Sequence, residues 1–500
     1  MRSFAVAKLW CTLLAILLTP HTLAQTPAPD DTLAAARLLF RQGDFKAAAV
    51  AYQAIISKDH SSADAHAGLV QSLLKQDDVP AAEGNSLKAL ETLPQSAPIH
   101  AARADVLFRR GLIPEAESEY NAAIKLDEKC ARAWLGMGRM DTVLFRHRRA
   151  QEAVSKAHEL DPEDGDALYE WAIRQPYPGN VAVLEKHLAE FHSDPETEGH
   201  ERDYVELLKA LAGRKVWILD PDVSRSELKL EILTAGPKFT QRGYGLRVKF
   251  NDRATATLLL DTGSSGVTIT RRFAERIGAR KLSGQAIEGV GKGGAARGYQ
   301  AWVDKVAAGD LEFHDCYVHV VPAAIVDTDG TIGADVFNKF LITLDFTARK
   351  LKLDPLPKPS VPEDGRPAEA ESFTQAYGFG HFLLLPTEIG GRASGLFVID
   401  TGANINSVSP ELAKGISQMQ ALNTPVFGAS GSVNSALVAD NISLRFSKVH
   451  RDARIISVDL HSVSKDLGTE ISGQIGFNTF DHMKIIINYR DGLVDFDYKP

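Results

Sequence analysis

From Pro29 onward, apolar side chains recur at three- and four-residue steps, the period of a helix buried along one face. A longer period lies over this one. Ala48, Ala82, Ala116 and Ala150 stand 34 residues apart, as do Ile55, Ala89, Ala123 and Ala157. Gly43 and Gly111 are two such intervals apart, and so are Pro94 and Pro162. Small residues in fixed phase let paired helices approach closely, while glycine turns the chain between them and proline stops the second helix. The spacing predicts four helical hairpins between residues 29 and 164, and further helical pattern over 165–212 can cap the stack, giving a helical repeat domain over 29–212. A generic Ala-rich bundle would share the composition but not the four-fold phase.

Beyond Arg214 the apolar period changes to alternation. SELKLEILTAG and YGLRVKF read as strands, and the rest of the chain is mostly β. Residues 355–372 carry Pro355, Pro357, Pro359, Pro362 and Pro367 with almost no large apolar side chain, which predicts an extended linker. The flanking segments, 237–354 and 373–500, match each other in register. Asp261 follows an apolar strand in LLLDTGSSGVTIT and Asp400 follows one in LFVIDTGANINSVS, each after a hairpin signal at Asn251-Asp252 or Gly390-Gly391. Gly289 and Gly428 both come 28 residues after the aspartate, in loops of small residues. Gly333 and Gly476 come 72 and 76 residues after it, each behind an isoleucine, and FLITLDF or MKIIINY then closes the copy.

Composition narrows the function classes. With 44% hydrophobic and 24% charged residues the chain is not disordered, collagenous or a polytopic membrane protein. A net charge of −8 without a long run of Lys or Arg argues against a nucleic-acid partner. Cys11, Cys130 and Cys316 are too few for a disulfide framework and show no zinc-ligand spacing. Residues 1–24 place Arg2 and Lys8 before an apolar run from Leu9 to Leu18, then Pro20 and Ala24, the order of a secretory signal peptide. Cleavage near Ala24 would leave a periplasmic or secreted protein with no stable membrane anchor.

Two resemblances follow from these motifs. GDFKAAAVAYQAIISKD, with Phe45, Ala48 and Tyr52, resembles a tetratricopeptide repeat, and LFRHRRAQEAVSKAHELDP resembles its second helix and stop. Such arrays present a concave surface to a protein partner. Both β segments resemble retropepsin-type aspartic protease lobes, on the apolar strand, Asp-Thr-Gly, a glycine-tipped flap and a later Ile-Gly brace. The overall order resembles bacterial aspartyl-protease-like proteins. The implied fold is multidomain α and β, an N-terminal α-helical solenoid followed by two all-β acid-protease lobes.

The implied chemistry is peptide hydrolysis by an Asp261/Asp400 dyad. Two carboxylates held together share one proton, so one serves as base toward water and the other as acid, with no metal or cofactor. The resemblance assigns Thr262 and Thr401 to cross-linking the two loops, and Gly263 and Gly402 to bringing backbone N–H groups near the carboxylates. Ser264 can donate to Asp261 whereas Ala403 has no hydroxyl, which places the negative charge on Asp261 and the proton on Asp400. Gly289, Val290, Gly291, Gly428 and Val433 are the flap candidates for contacting a peptide. Gly289, Gly291 and Gly294 also spell G-x-G-x-x-G, but no helix follows as a dinucleotide site requires. Ser462 and Lys465 read as a surface turn, and His314 as a structural histidine. The competing reading is an inactive, protease-shaped scaffold that binds peptide or protein. The sequence leaves open whether the dyad forms within one chain or between two.

Overall fold

The computed structural model describes residues 29–235, 240–287, 296–322, 328–358, 372–391, 393–416, 419–422, 426–428, 431–433 and 436–498. The expected signal peptide, the flap residues Gly289, Val290 and Gly291, and residues 359–371 of the expected linker lie outside them. Helices α1 (Pro29–Arg41), α2 (Phe45–Lys58), α3 (Ala63–Lys75), α4 (Val79–Thr92), α5 (Ala97–Arg109), α6 (Ile113–Leu126), α7 (Ala131–Val143) and α8 (His147–Leu160) form four hairpins. The shorter α9 (Gly165–Ala172), α10 (Gly179–Glu190) and the longer α11 (Pro195–Leu211) complete the array.

The 34-residue phase has a physical basis at each position. Ala48, Ala82, Ala116 and Ala150 are all buried where the helices of a hairpin meet. A side chain on Gly68 would enter the ring of Tyr52, and one on Gly136 that of Tyr120, so each glycine makes room for the tyrosine of the preceding helix. Asp44 and Asp78 cap α2 and α4, accepting from the Ala47 and Ala81 amides at 3.0 and 3.1 Å. The array curves until its ends meet. Arg41 pairs with Glu163 at 2.9 Å, and the His192 amide donates to the Arg41 carbonyl at 3.0 Å. Across the inner face Arg132 reaches Asp105 at 2.7 Å and Asp166 at 2.9 Å, while Lys75 reaches Asp166 at 2.8 Å. Burial opposes ionisation of Asp166, but Lys75, Arg139 and Arg132 outweigh it and hold the carboxyl well below the usual carboxylate range.

Two closed β-barrels follow, with one strand order. In the first, Thr240–Phe250, Ala254–Asp261, Gly330–Gly333, Val267–Thr270, Leu311–Val321 and Ala296–Ala308 are successive neighbours, and the last pairs with the first. In the second, the ring runs Phe382–Ile389, Ala393–Asp400, Gly473–Gly476, Asn406–Val408, Val449–Ser457 and Ala436–Phe446, again closing on its first strand. Both hairpin signals are real turns: Asn251, Asp252, Gly390 and Gly391 all have positive φ. The first lobe's strand pairing starts before residue 237, since Glu231–Ala235 pairs with Thr240–Phe250 and Ser226–Lys229 with Lys350–Pro355.

A third sheet joins the lobes. Phe340–Asp345 pairs antiparallel with Met483–Asn488, putting Ile342 opposite Ile487 and Leu344 opposite Ile485, so one hydrophobic core runs through both barrels. The array docks on the second lobe. Leu107, Met137, Met140 and Val143 share a buried cluster with Leu384, Leu396, Ile456 and Ile471, and the Phe108 and Phe379 rings lie 5.8 Å apart. At the edge, the Glu470 amide donates to the Arg109 carbonyl and the Thr469 hydroxyl to the Phe108 carbonyl, both at 2.8 Å.

Candidate active site

Each lobe delivers its aspartate at the end of a buried strand, Ala254–Asp261 or Ala393–Asp400. Beside each runs a short parallel strand in which Gly333 lies opposite Asp261 and Gly476 opposite Asp400. The Ile-Gly segments therefore brace the ends from which the two active turns spring. Neither glycine has room for a side chain, because a Cβ on Gly333 would strike Asp335 and the Ser264 carbonyl, and one on Gly476 the Ile405 backbone.

The turns meet within one chain. The Thr262 amide donates to the Thr401 hydroxyl at 3.0 Å and the Thr401 amide to the Thr262 hydroxyl at 3.0 Å. Each hydroxyl passes its own hydrogen to the opposite lobe, Thr262 to the Ile399 carbonyl at 2.7 Å and Thr401 to the Leu260 carbonyl at 2.9 Å. All four bonds are buried. Gly263 and Gly402 lie against the opposing carboxyls: a Cβ on Gly263 would stand 2.8 Å from Asp400 Cγ, and one on Gly402 would overlap the Asp261 carboxyl. Each carboxyl therefore lies against the turn that carries the other.

The two carboxyls are not equivalent. Asp261 accepts from the Gly263 amide at 2.8 Å and from Ser264 Oγ at 2.7 Å. Asp400 accepts from the Gly402 and Ala403 amides at 2.9 and 2.8 Å, and from Gln474 Nε2 at 2.9 Å. Gln474 has no counterpart in the sequence reading, which took Asp400 as the carboxyl with fewer donors. Burial, then the neighbouring Asp261 charge, nevertheless push Asp400 up to about 8, with the two amides only partly opposing them. Asp400 thus holds a proton at neutral pH.

Of the flap candidates, Gly428 and Val433 lie in a hairpin where Val426–Gly428 pairs with Gly431–Val433. His314 is a surface residue 3.2 Å from Glu312, and the segment holding Ser462 and Lys465 is a short helix whose lysine pairs with Glu196 of the array at 3.0 Å. Cys130 and Cys316 are both free and buried, one in the array and one in the first lobe. Among the described residues no helix is long and apolar enough to cross a membrane, and no three His, Cys, Asp or Glu side chains are grouped to hold a metal ion.

Residues 246–336 match the family model described as an aspartyl protease, and residues 33–98 and 101–157 match that of the tetratricopeptide repeat. The chain carries an aspartyl protease domain behind a tetratricopeptide array. The protease match lies within the first lobe, and the second is tied to it by the shared strand order and the paired active turns. Among solved structures, a thermophilic TPR protein of Thermus thermophilus is similar at 19% identity over 36% of this chain and 97% of its own, with a TM-score of 0.28. No curated protein matches.

Proposed function

We propose that the protein is an aspartic endopeptidase in which Asp261, as the ionised partner, takes a proton from water while Asp400 protonates the scissile carbonyl. Water then adds to the carbon, the tetrahedral intermediate collapses, and the leaving amine departs with a proton from the dyad. The observation that carries this reading is that the two active turns interlock within one chain, so that each carboxyl lies against the glycine of the opposite turn. The Gly428 and Val433 hairpin, with the first-lobe loop holding Gly289, Val290 and Gly291, would hold the peptide extended. The helical array would recruit a protein substrate or partner, and export to the periplasm or medium would follow removal of residues 1–24. The test is a proteome-wide cleavage assay from acid to neutral pH with Asp261→Asn and Asp400→Asn as controls. Cleavage by the wild type that disappears in each single variant is the expected result; cleavage that survives either variant overturns it. A wild type that binds denatured protein without cutting it would make the lobes a peptide-gripping scaffold.

A further inference from the structure

The Asp261 turn is contacted by a side chain from the other lobe that the dyad chemistry does not use. His381 sits at the tip of the tight turn between strands Tyr377–Phe379 and Phe382–Ile389, made possible by the positive φ of Gly380. Its ring lies 3.9 Å from that of Phe382, and its Nε2 is 3.2 Å from the carbonyl oxygen of Gly263. A carbonyl only accepts, so Nε2 carries the hydrogen. The imidazole therefore reaches across the lobe boundary and fastens the residue two places after Asp261.

The arrangement is one-sided. Gly245 lies opposite Leu259 as Leu384 lies opposite Val398, so the first-lobe position matching His381 is Arg242, which is exposed. Around His381 the first lobe places Asp335, which accepts from the Gly266 amide at 3.0 Å and Ser265 Oγ at 3.1 Å. Its second-lobe counterpart, two residues after the bracing glycine, is the uncharged Asn478. His319, on the strand beside Val267–Thr270, faces the same region, and Tyr489 stands near Asp335 and Asp261. Burial disfavours the charged ring of His381, while Gly263, Asp335 and Asp261 favour it.

We propose that His381 is an inter-lobe positioning residue: through Nε2–H to the Gly263 carbonyl it holds the Asp261-Thr262-Gly263 turn in register with Asp400, so the orientation of one carboxyl of the dyad depends on the opposite lobe. The proposal rests on the dyad reading above, and its test separates the two. His381→Phe keeps a ring against Phe382 without a donor, and His381→Gln keeps a donor without a ring. His381→Phe is expected to lower kcat about tenfold or more with KM within about twofold, and to move the acid limb of kcat/KM to higher pH. His381→Gln should recover most of kcat. Without substrate, carbon-13 NMR of labelled aspartate carboxyls should show the Asp400 step moving up by about half a pH unit in His381→Phe, because the Asp261 charge is then less compensated. Wild-type kcat and an unmoved Asp400 step in His381→Phe would overturn the proposal, as would equal loss in both variants accompanied only by a lower melting midpoint. If the wild type cuts nothing while the carboxyl step still moves, the protease reading fails and the positioning role stands.

Discussion

A carboxyl group buried beside a carboxylate gives up its proton reluctantly, and Asp400 has both neighbours that cause this. Its pKa in the fold lies near 8, above the ordinary aspartate value, so its contribution to stability is fully present below the unfolded value and is lost as pH rises through about 8. Asp400→Asn removes a group that unfolding would ionise. It should raise the melting midpoint at pH 7 by about a few degrees, with the difference shrinking toward pH 4 in calorimetry, while cleavage falls to background. Asp261 accepts from the Ser264 hydroxyl, a donor that favours a charged carboxyl. Losing the 2.7 Å Ser264 bond should move the acid limb of kcat/KM in Ser264→Ala upward by about half to one unit, and an unmoved limb would show that Ser264 does not bias the dyad. Both aspartates and Ser264 are legible because Asp-Thr-Gly is a local word that occurs twice. Gln474 and His381 are not, because they reach the dyad from 74 residues away and from across the lobe boundary. The only local hint is that Gln474 stands where the first copy has Thr331, two residues before the bracing glycine.

At the scale of elements, the two active turns are held by hydroxyls rather than by apolar contact. Thr401→Val keeps the shape of the side chain but leaves the buried Leu260 carbonyl and Thr262 amide without their partner. The expected cost is about 2–4 kcal/mol in denaturant unfolding, larger than an exposed hydroxyl would cause. Gly402→Ala acts on geometry instead. The new methyl group would occupy the place of the Asp261 carboxyl, so cleavage should drop about 100-fold or more while circular dichroism stays native. Alternating strands, hairpin signals and Ile-Gly braces could be read along the chain because each is set by a few adjacent residues. The sheet that joins Phe340–Asp345 to Met483–Asn488 could not, since both strands read as the end of their own lobe and nothing local names the partner. For the same reason a first lobe beginning at residue 237 omitted Glu231–Ala235 and Ser226–Lys229, whose partners lie in other hairpins.

At the scale of the molecule, one residue that breaks the repeat explains how the array meets the lobes. The turn between the helices of each hairpin needs a left-handed residue, and the 34-residue phase puts Gly43, Asp77, Gly111 and Phe145 there, with φ of 76°, 60°, 72° and 59°. A phenylalanine in that conformation is strained by roughly 1–2 kcal/mol relative to glycine. Its ring offsets this by filling space that Gly378 and Gly492 of the second lobe leave open, since a Cβ on either glycine would overlap it. The Arg110 to Glu470 pair at 3.2 Å and the Asp77 to His461 pair at 2.6 Å extend the same edge. That edge is therefore occupied by the second lobe. Phe145→Gly separates local strain from docking. If the turn alone mattered, the variant would be more stable. Because the ring holds two domains together, the expected outcome is a lower melting midpoint and faster hydrogen exchange in Tyr377–Phe379 and around Gly492, with exchange in α1 to α4 unchanged.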